Sequence, residues 1–294
     1  MVVLEMRDYL VAGELDLERV RHHAGNEAVL AGVADVYRAM AADVSRIADA
    51  LLLGEQHDAP EHHVLERQVV AWLAARGRLA ALALEMAEQG HGTAGLPPDA
   101  GEAQVRAALA WNDDAWPWRD YGPSAMAAVR AGVPVLGANL PAARLREAMR
   151  DTALDTGLPP PAMAVQQQRI REGHCELLPE RQIQPMTRVQ IARDMAMART
   201  LEQAHQRGRT VLLITGNGHV HRSLGVPRYL PPDWKTKVLS AQAQRAQVAT
   251  ENEADEAAAG PALHAGDLAW LTPPVPPRDH CAELREQMET PRRP

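Results

Sequence analysis

Four runs rich in Leu, Val and Ala each end in a glycine or a polar side chain. They cover residues 47–53, interrupted only by Asp49, and residues 79–84, 133–138 and 209–215. An apolar run without polar alternation is typical of a strand buried on both faces, as strands are in a parallel sheet. The pattern therefore predicts an α/β fold in which a parallel sheet is flanked by helices.

Helix signals lie between these predicted strands. Asp58 is an N-cap type of residue, and Pro60 and Glu61 follow it, so a helix is predicted from there to about Arg76. Further helices are predicted near residues 102–111, 124–132 and 141–151. Two shorter runs, 236–239 and 267–271, are assigned to a fifth strand and an edge strand.

The segment 157–161, Gly-Leu-Pro-Pro-Pro, interrupts the α/β pattern. Beyond it Gln, Arg and Met become more frequent, and no strand-like run returns until Val211. We therefore predict a small inserted all-helical subdomain whose main helix extends from about Met186 to Arg207. The predicted organisation is an N-terminal helical segment at 1–45, an α/β domain at 46–157 and 209–275 with a mobile loop at 249–260, the helical subdomain at 158–208, and a C-terminal tail at 276–294.

Composition and charge narrow the functional classes. The 294 residues are 46% apolar and 23% charged, a balance that supports a sizeable core. The net charge is −7 and no segment concentrates Lys and Arg, which argues against nucleic-acid binding. No apolar run approaches the roughly 18 residues of a transmembrane segment, and the first residues lack a signal-peptide pattern. A domain of this size needs no disulfide, so Cys175 and Cys281 are expected to be free thiols, with a disulfide between them as the alternative.

Polar side chains follow the predicted strands. Glu55 and His57 come after the first, Glu85 after the second, Asn139 after the third and His219 after the fourth. Because the carboxyl ends of parallel strands meet at one edge of a sheet, we expect these side chains to converge. Two imidazoles and two carboxylates can bind a divalent metal ion or divide acid and base roles around a water molecule. The candidate metal ligands, and the candidate catalytic residues of a hydrolase, are therefore Glu55, His57, Glu85 and His219.

Each of these residues also has a simpler structural interpretation. A histidine just after a strand is commonly a hydrogen-bonded loop residue. Glu85 could pair with Arg78 or Arg119. His62 and His63, in the first turn of the predicted helix, are expected to be exposed, with one of them facing the cleft as the alternative. The repetition of the pattern after two strands is what favours a combined site.

An aromatic cluster lies in residues 111–121, which contain three of the six tryptophans and one of the four tyrosines. In a chain with 3% aromatic residues and no Phe, this clustering predicts a loop that forms the floor of a pocket. A surface loop fixed by its tryptophans fits the pattern equally well. No Ser or Cys lies in a Gly-x-Ser-x-Gly segment, which argues against a nucleophile triad.

Seven motifs follow one another between about residues 45 and 240. They are Leu52-Leu53-Gly54-Glu55-Gln56-His57-Asp58 with His62-His63, Leu84-Glu85-Met86, Trp116-Pro117-Trp118 with Tyr121, Val135 with Ala138-Asn139-Leu140-Pro141, His174-Cys175, Gln190 with Arg193-Asp194 and Met197-Ala198, and Gly216-Asn217-Gly218-His219 with Gly225-Val226-Pro227. In this order they resemble the ChaN family, a bacterial haem-binding domain associated with iron uptake. Its superfamily also contains the Tiki and TraB proteins and the erythromycin esterases.

The resemblance implies a parallel α/β domain with a small helical domain, and haem bound at the interface of a homodimer through a tyrosine ligand. Tyr121 and Tyr229 are the candidate ligands, because both lie in predicted loops near the proposed cleft. Trp116 and Trp118 are candidate contacts with the porphyrin. The resemblance also implies a location in the cell envelope or periplasm, with an outer-membrane haem receptor system as the partner. Because the sequence shows no leader, a cytoplasmic location is the alternative.

The main hypothesis is therefore that the chain is a haem-binding protein that takes part in the uptake or handling of haem or iron. Gly54-x-x-His57 and Gly216-x-x-His219, together with Glu55, also resemble the Tiki-type metal-dependent hydrolase signature. A hydrolase that uses a divalent metal ion is the alternative. A non-catalytic interaction domain that has inherited the same scaffold is the third.

Overall fold

The computed structural model describes residues 10–11, 14–15, 48–243, 267–276 and 278–289. The predicted helical segment at 1–45 lies outside these residues, except for Leu10–Val11 (β1) and Glu14–Leu15 (β2), which form two short antiparallel strands. The predicted mobile loop at 249–260 also lies outside them.

A six-stranded, all-parallel sheet forms the centre of the molecule, which confirms the predicted α/β fold. The strand order is β5-β4-β6-β3-β7-β8, so β8 is an edge strand as expected. The strands are Ala50–Glu55 (β3), Leu79–Glu88 (β4), Val135–Asn139 (β5), Thr210–Gly216 (β6), Thr236–Ala243 (β7) and Leu268–Thr272 (β8).

Helices connect and cover the strands. They are Pro60–Ala75 (α1), Glu102–Ala108 (α2), Trp118–Arg130 (α3), Leu145–Arg150 (α4), Pro160–Gly173 (α5), Glu180–Ala204 (α6) and His280–Glu289 (α7). Proline often marks a helix start. The predicted starts at 124 and 186 were wrong because each was placed just after a proline, Pro123 or Pro185, that the helix in fact contains.

The two faces of the sheet carry different layers. Leu51 and Leu53 of β3 pack on the side covered by α1 and α3. Ala50 and Leu52 pack on the other side, against Met197 of α6. Successive side chains of a strand point to opposite faces, so the position of a residue along its strand decides which layer it meets. This alternation controls the geometry of the candidate site.

The predicted helical insertion is joined to the α/β layers through α6. The first half of α6 packs against α4 through Ala148, Val189 and Ala192. The second half of α6 covers the sheet through Met197 and Leu201. A single long helix therefore belongs to both parts of the fold.

The two cysteines form a disulfide, so the expectation of free thiols was wrong. Cys175 follows α5 and Cys281 lies in α7, inside the segment predicted to be a tail. Their Cα atoms are 5.5 Å apart across 106 residues of sequence, within the range that a disulfide can bridge. The neighbouring His280 lies 3.3 Å from Asp58, so α7 links the end of α5 to the segment after β3.

Candidate functional site

The carboxyl edge of the sheet brings together residues at or near the carboxyl ends of β3, β4 and β6. Gly216 lies at their centre, since a Cβ atom on it would lie 2.9 Å from Nε2 of His57 and 3.7 Å from Oε2 of Glu85. The missing side chain makes room for both groups. The predicted convergence at one edge is therefore present, but the residues divide into two groups.

The first group lies on the face covered by α1 and α3. Glu55 has the same orientation as Leu51 and Leu53, and its side chain is fully buried. Its Oε1 lies 2.6 Å from Nδ1 of His57 and accepts a hydrogen bond of 3.1 Å from the hydroxyl of Tyr121. Glu55 therefore holds the imidazole at the rim of the sheet in a fixed orientation.

Helix α1 adds His63 and Glu66 to this group, and both are buried. Nδ1 of His63 lies 3.9 Å from Oε2 of Glu55 and 3.5 Å from Oε2 of Glu66. The expectation that His62 and His63 are exposed was wrong, because this turn of α1 packs inward. His62 has a structural role, since it accepts a hydrogen bond from the Gln56 backbone and contacts Thr272 of β8 at 3.0 Å.

Burial and charge shift the titration of the first group. Burial raises the pKa of Glu66 to about 8, although His63 partly opposes this shift. Burial lowers the pKa of His57, but the hydrogen bond and charge of Glu55 outweigh it, and the net change is upward. Burial and the charge of Glu55 raise the pKa of Tyr121 far above its usual value, so its hydroxyl stays protonated.

The second group lies on the face covered by α6. Glu85 has the orientation of Ala81 and Ala83, and its Oε1 lies 3.3 Å from Nε2 of His219. His219 belongs to a 3-10 turn, Asn217–Val220. Its Nδ1 lies 2.6 Å from Asp194 on α6. A buried imidazole thus lies between two buried carboxylates.

The charges in the second group support one another. Burial opposes protonation of His219, but Glu85 and Asp194 outweigh it and raise the pKa of His219 to about 10. The pKa of Glu85 is lowered well below its usual value, because His219 and the backbone N–H of Gly216 outweigh burial. At Asp194 the charge and hydrogen bond of His219 do not outweigh burial, and burial raises the pKa of Asp194 to about 6. The raised pKa favours the imidazolium form of His219 at neutral pH.

The four predicted metal ligands therefore do not form one coordination sphere in the described residues. Glu55 and His57 lie in the first group, whereas Glu85 and His219 lie in the second. A different set of side chains, Glu55, His63 and Glu66, does lie close enough to share a metal ion. Their potential ligand atoms are all within 4.8 Å of one another, and this is the one such group in the part of the chain that the structure describes. The prediction missed His63, Glu66 and Asp194 as members of the site.

A cleft of about 370 Å³ opens beside Glu85 at the same edge. Its wall includes Met86 and Leu140 and also the cationic side chain of Arg193. Trp116 lines the cleft too, and its ring packs edge-on against the ring of His57 with centroids 4.8 Å apart. The predicted association of the aromatic cluster with a pocket therefore holds for Trp116.

Trp118 and Tyr121 are buried, and Tyr229 is half-buried. Trp118 packs edge-on against Trp111. Tyr121 is 1% exposed and its hydroxyl bonds to Glu55. The hydroxyl of Tyr229 is buried and has no hydrogen-bond partner among the described residues, and burial raises its pKa to about 12. Neither tyrosine oxygen is presented to solvent.

The family model described as "Haem-binding uptake, Tiki superfamily, ChaN" matches residues 40–230. The chain belongs to the ChaN family. The match extends from the segment before β3 to the end of the 3-10 turn Val226–Tyr229 and therefore includes both groups of the site. No curated protein matches the sequence.

A solved structure has a similar fold. It is described as "Cofacial heme binding to ChaN of Campylobacter jejuni", with 22% sequence identity and a TM-score of 0.53. The alignment covers 67% of this chain and 82% of that one. At this identity the likeness shows that the two ChaN proteins share a fold.

Among the described residues, no helix has the length and apolar character needed to cross a membrane.

Proposed function

We propose that this ChaN-family protein binds haem at the cleft beside the carboxyl edge of the sheet and takes part in haem or iron uptake. Membership of a family described as haem-binding is the observation that carries the proposal. The cleft supports it, because its mixed lining includes the apolar side chains of Met86, Trp116 and Leu140 and the cationic Arg193. A porphyrin needs apolar contacts for its ring and cations for its propionates.

His57 lies beside the cleft, in contact with Trp116 of its lining, and is our candidate for the axial ligand of the haem iron. Its side chain is 40% exposed, and Nδ1 is engaged by Glu55, which leaves Nε2 as the nitrogen with a lone pair for iron. A carboxylate that fixes the ring and raises the basicity of the imidazole is a common support for a metal-bound histidine.

Tyr121 and Tyr229 remain the ligands that the family resemblance implies. Coordination by either would require its hydroxyl to leave a buried position. For Tyr121 the hydrogen bond to Glu55 would also have to break. Because of these costs, we rank His57 above both tyrosines as the candidate ligand.

A second copy of the chain is the proposed cover of the bound haem. A porphyrin is larger than the 370 Å³ cleft, so part of the ring would project beyond it. Burial of that apolar surface favours a homodimer around haem. The disulfide supports an oxidising compartment such as the periplasm or cell envelope, where an outer-membrane haem receptor system would be the partner.

The deciding experiment is a haemin titration of the full chain followed by the Soret band. Wild type should saturate at a fixed stoichiometry, and His57→Ala should change the band and weaken binding. His205→Ala is the control, because His205 pairs with Asp49 at the opposite edge of the sheet. A change only with Tyr121→Phe or Tyr229→Phe would move the ligand to that tyrosine. Sedimentation with and without haemin tests the dimer.

The hydrolase alternative requires Glu55, His57, Glu85 and His219 to bind one metal ion or to share proton transfer at one centre. The division of these residues between two faces gives it no support. If haemin fails to bind to wild type in a saturable manner, the haem proposal is wrong, and the non-catalytic interaction domain becomes the leading hypothesis.

A further inference from the structure

Three buried side chains converge between β3 and the first turns of α1. Glu55 is 1% exposed, His63 is 9% exposed and Glu66 is fully buried. His63 and Glu66 are three residues apart, which places them on the same face of the helix. Two carboxylates and one imidazole therefore face one another in a region without solvent.

The polar atoms that face this space lack hydrogen bonds. They are Oε2 of Glu55, Nδ1 of His63 and both carboxylate oxygens of Glu66, all buried and without a partner in the described residues. Buried polar atoms are normally paired, and an unpaired buried carboxylate is strongly unfavourable. A group of four such atoms in one place indicates a missing partner.

The spacing of these atoms fits a shared metal ion better than direct hydrogen bonds. Nδ1 of His63 lies 3.5 Å from Glu66 and 3.9 Å from Glu55. Ligand atoms at about 2.0–2.2 Å from a tetrahedral metal are about 3.4 Å apart. These two distances are close to this value, and all three ligand atoms lie within 4.8 Å of one another, so binding needs an inward movement of the carboxylates.

Neighbouring side chains already orient the ligands. Oε1 of Glu55 contacts both Nδ1 of His57 and the hydroxyl of Tyr121, which leaves Oε2 directed at His63. The ring of Tyr121 packs edge-on against the ring of His63, with centroids 4.7 Å apart. Supporting contacts of this kind are typical of metal sites, where they fix the ligands before the ion binds.

We propose that Glu55, His63 and Glu66 bind a divalent first-row transition-metal ion at a site separate from the haem iron. One imidazole nitrogen and two carboxylate oxygens form a ligand set that suits Mn²⁺, Fe²⁺ or Zn²⁺. The site uses Oε2 of Glu55, whereas His57 contacts Oε1. It does not depend on haem binding.

Cobalt is the probe for this site, because Co²⁺ in a protein site gives visible d–d absorption. Haem-free full-length protein is treated with a chelator, dialysed and titrated with Co²⁺. Wild type should take up one equivalent with new visible bands and a higher Tm. Glu66→Gln and His63→Gln should each weaken Co²⁺ binding by about 100-fold or more. Glu61→Gln, on the same helix but outside the cluster, should bind Co²⁺ as wild type does.

A second readout covers the case in which a variant is unstable. Glu66→Gln keeps the size of the buried side chain and cannot ionise, so it should be at least as stable as wild type in chelator and should gain no Tm from Co²⁺, Mn²⁺ or Zn²⁺. The proposal is wrong if wild type gains no Tm and binds none of the three ions. It is also wrong if Glu66→Gln and His63→Gln bind Co²⁺ with unchanged affinity. Haemin titration of the same samples keeps this result distinct from haem binding.

Discussion

Glu55 is the last residue of β3 and Glu85 lies near the carboxyl end of β4, on either side of β6, yet their carboxylates leave the sheet on opposite faces. Glu55 meets Tyr121 on the side of α1 and α3, whereas Glu85 meets His219 on the side of α6. The edge of the sheet therefore separates two acidic centres. His57 lies at the rim between them, and the charges of both carboxylates raise its pKa.

The lack of a side chain at Gly216 keeps His57 in this position. In Gly216→Ala the new Cβ would lie 2.9 Å from Nε2 of His57, so the imidazole would have to move. A forced change of rotamer costs about 0.5–1.5 kcal/mol, so we expect a small loss of stability together with a clear loss of haemin affinity.

Gly218→Ala is the matched control for this prediction. A Cβ on Gly218 meets no heavy atom within 4 Å. Haemin titration and thermal unfolding of the two variants check the expectation. Equal haemin affinity in both variants would show that His57 does not need its present position for binding.

The protonated state of His219 should make stability depend on pH. Its pKa rises from 6.5 in the unfolded chain to about 10 in the folded protein, so the folded state holds the proton more tightly. This stabilisation is fully present below about pH 6.5 and is lost as the pH rises through 10. The expected loss is on the order of a few kcal/mol, since one pKa unit corresponds to about 1.4 kcal/mol.

Urea denaturation between pH 6 and 10 measures this loss. Glu66, whose pKa is raised to about 8, also loses stabilisation in this range, so the difference between wild type and His219→Gln isolates His219. That difference should shrink as the pH rises. A constant difference across the range would mean that His219 is neutral in the folded protein.

Alternation along a strand also explains what could be predicted from the sequence. The parallel sheet could be predicted, because β3 and β6 are apolar on both faces and such strands occur in covered sheets. The same property hides the orientation of Glu55, since a strand without polar alternation does not indicate which face a given residue will meet.

Helix periodicity held a signal for the residues that the prediction missed. His63, Glu66, Val70 and Leu73 follow one another at spacings of three or four residues, so the two polar residues lie on the buried stripe of α1. Asp194 similarly precedes Met197 and Leu201 on α6. By contrast, the Cys175–Cys281 pair depends on how α7 folds back, which no local pattern indicates.

The disulfide should contribute to stability. A bridge across 106 residues restricts the unfolded chain, and removing such a bond typically costs about 2–4 kcal/mol. We expect Cys175→Ser, Cys281→Ser and the double variant to lower the free energy of unfolding by similar amounts, because each removes the same bond. Thiol titration of non-reduced native protein checks the bond itself. Two reactive thiols in that protein would contradict it.

Arg193 should anchor a haem propionate. Its side chain lines the cleft, and its Nε is buried without a hydrogen-bond partner in the described residues. A charge-assisted hydrogen bond to a carboxylate contributes about 1.5–3 kcal/mol. We therefore expect Arg193→Gln to weaken haemin binding by at least about tenfold, which corresponds to about 1.4 kcal/mol, without changing the Soret band that reports the axial ligand.

Haemin dimethyl ester distinguishes a propionate contact from a general effect of the substitution, because it lacks the carboxylate charges. Wild type and Arg193→Gln should bind the ester with equal affinity if Arg193 acts through a propionate. Arg199→Gln is the control, since Arg199 is exposed on the same helix. A loss of ester affinity equal to the loss of haemin affinity would assign Arg193 a role in shaping the cleft wall, because the two ligands differ at the propionates alone.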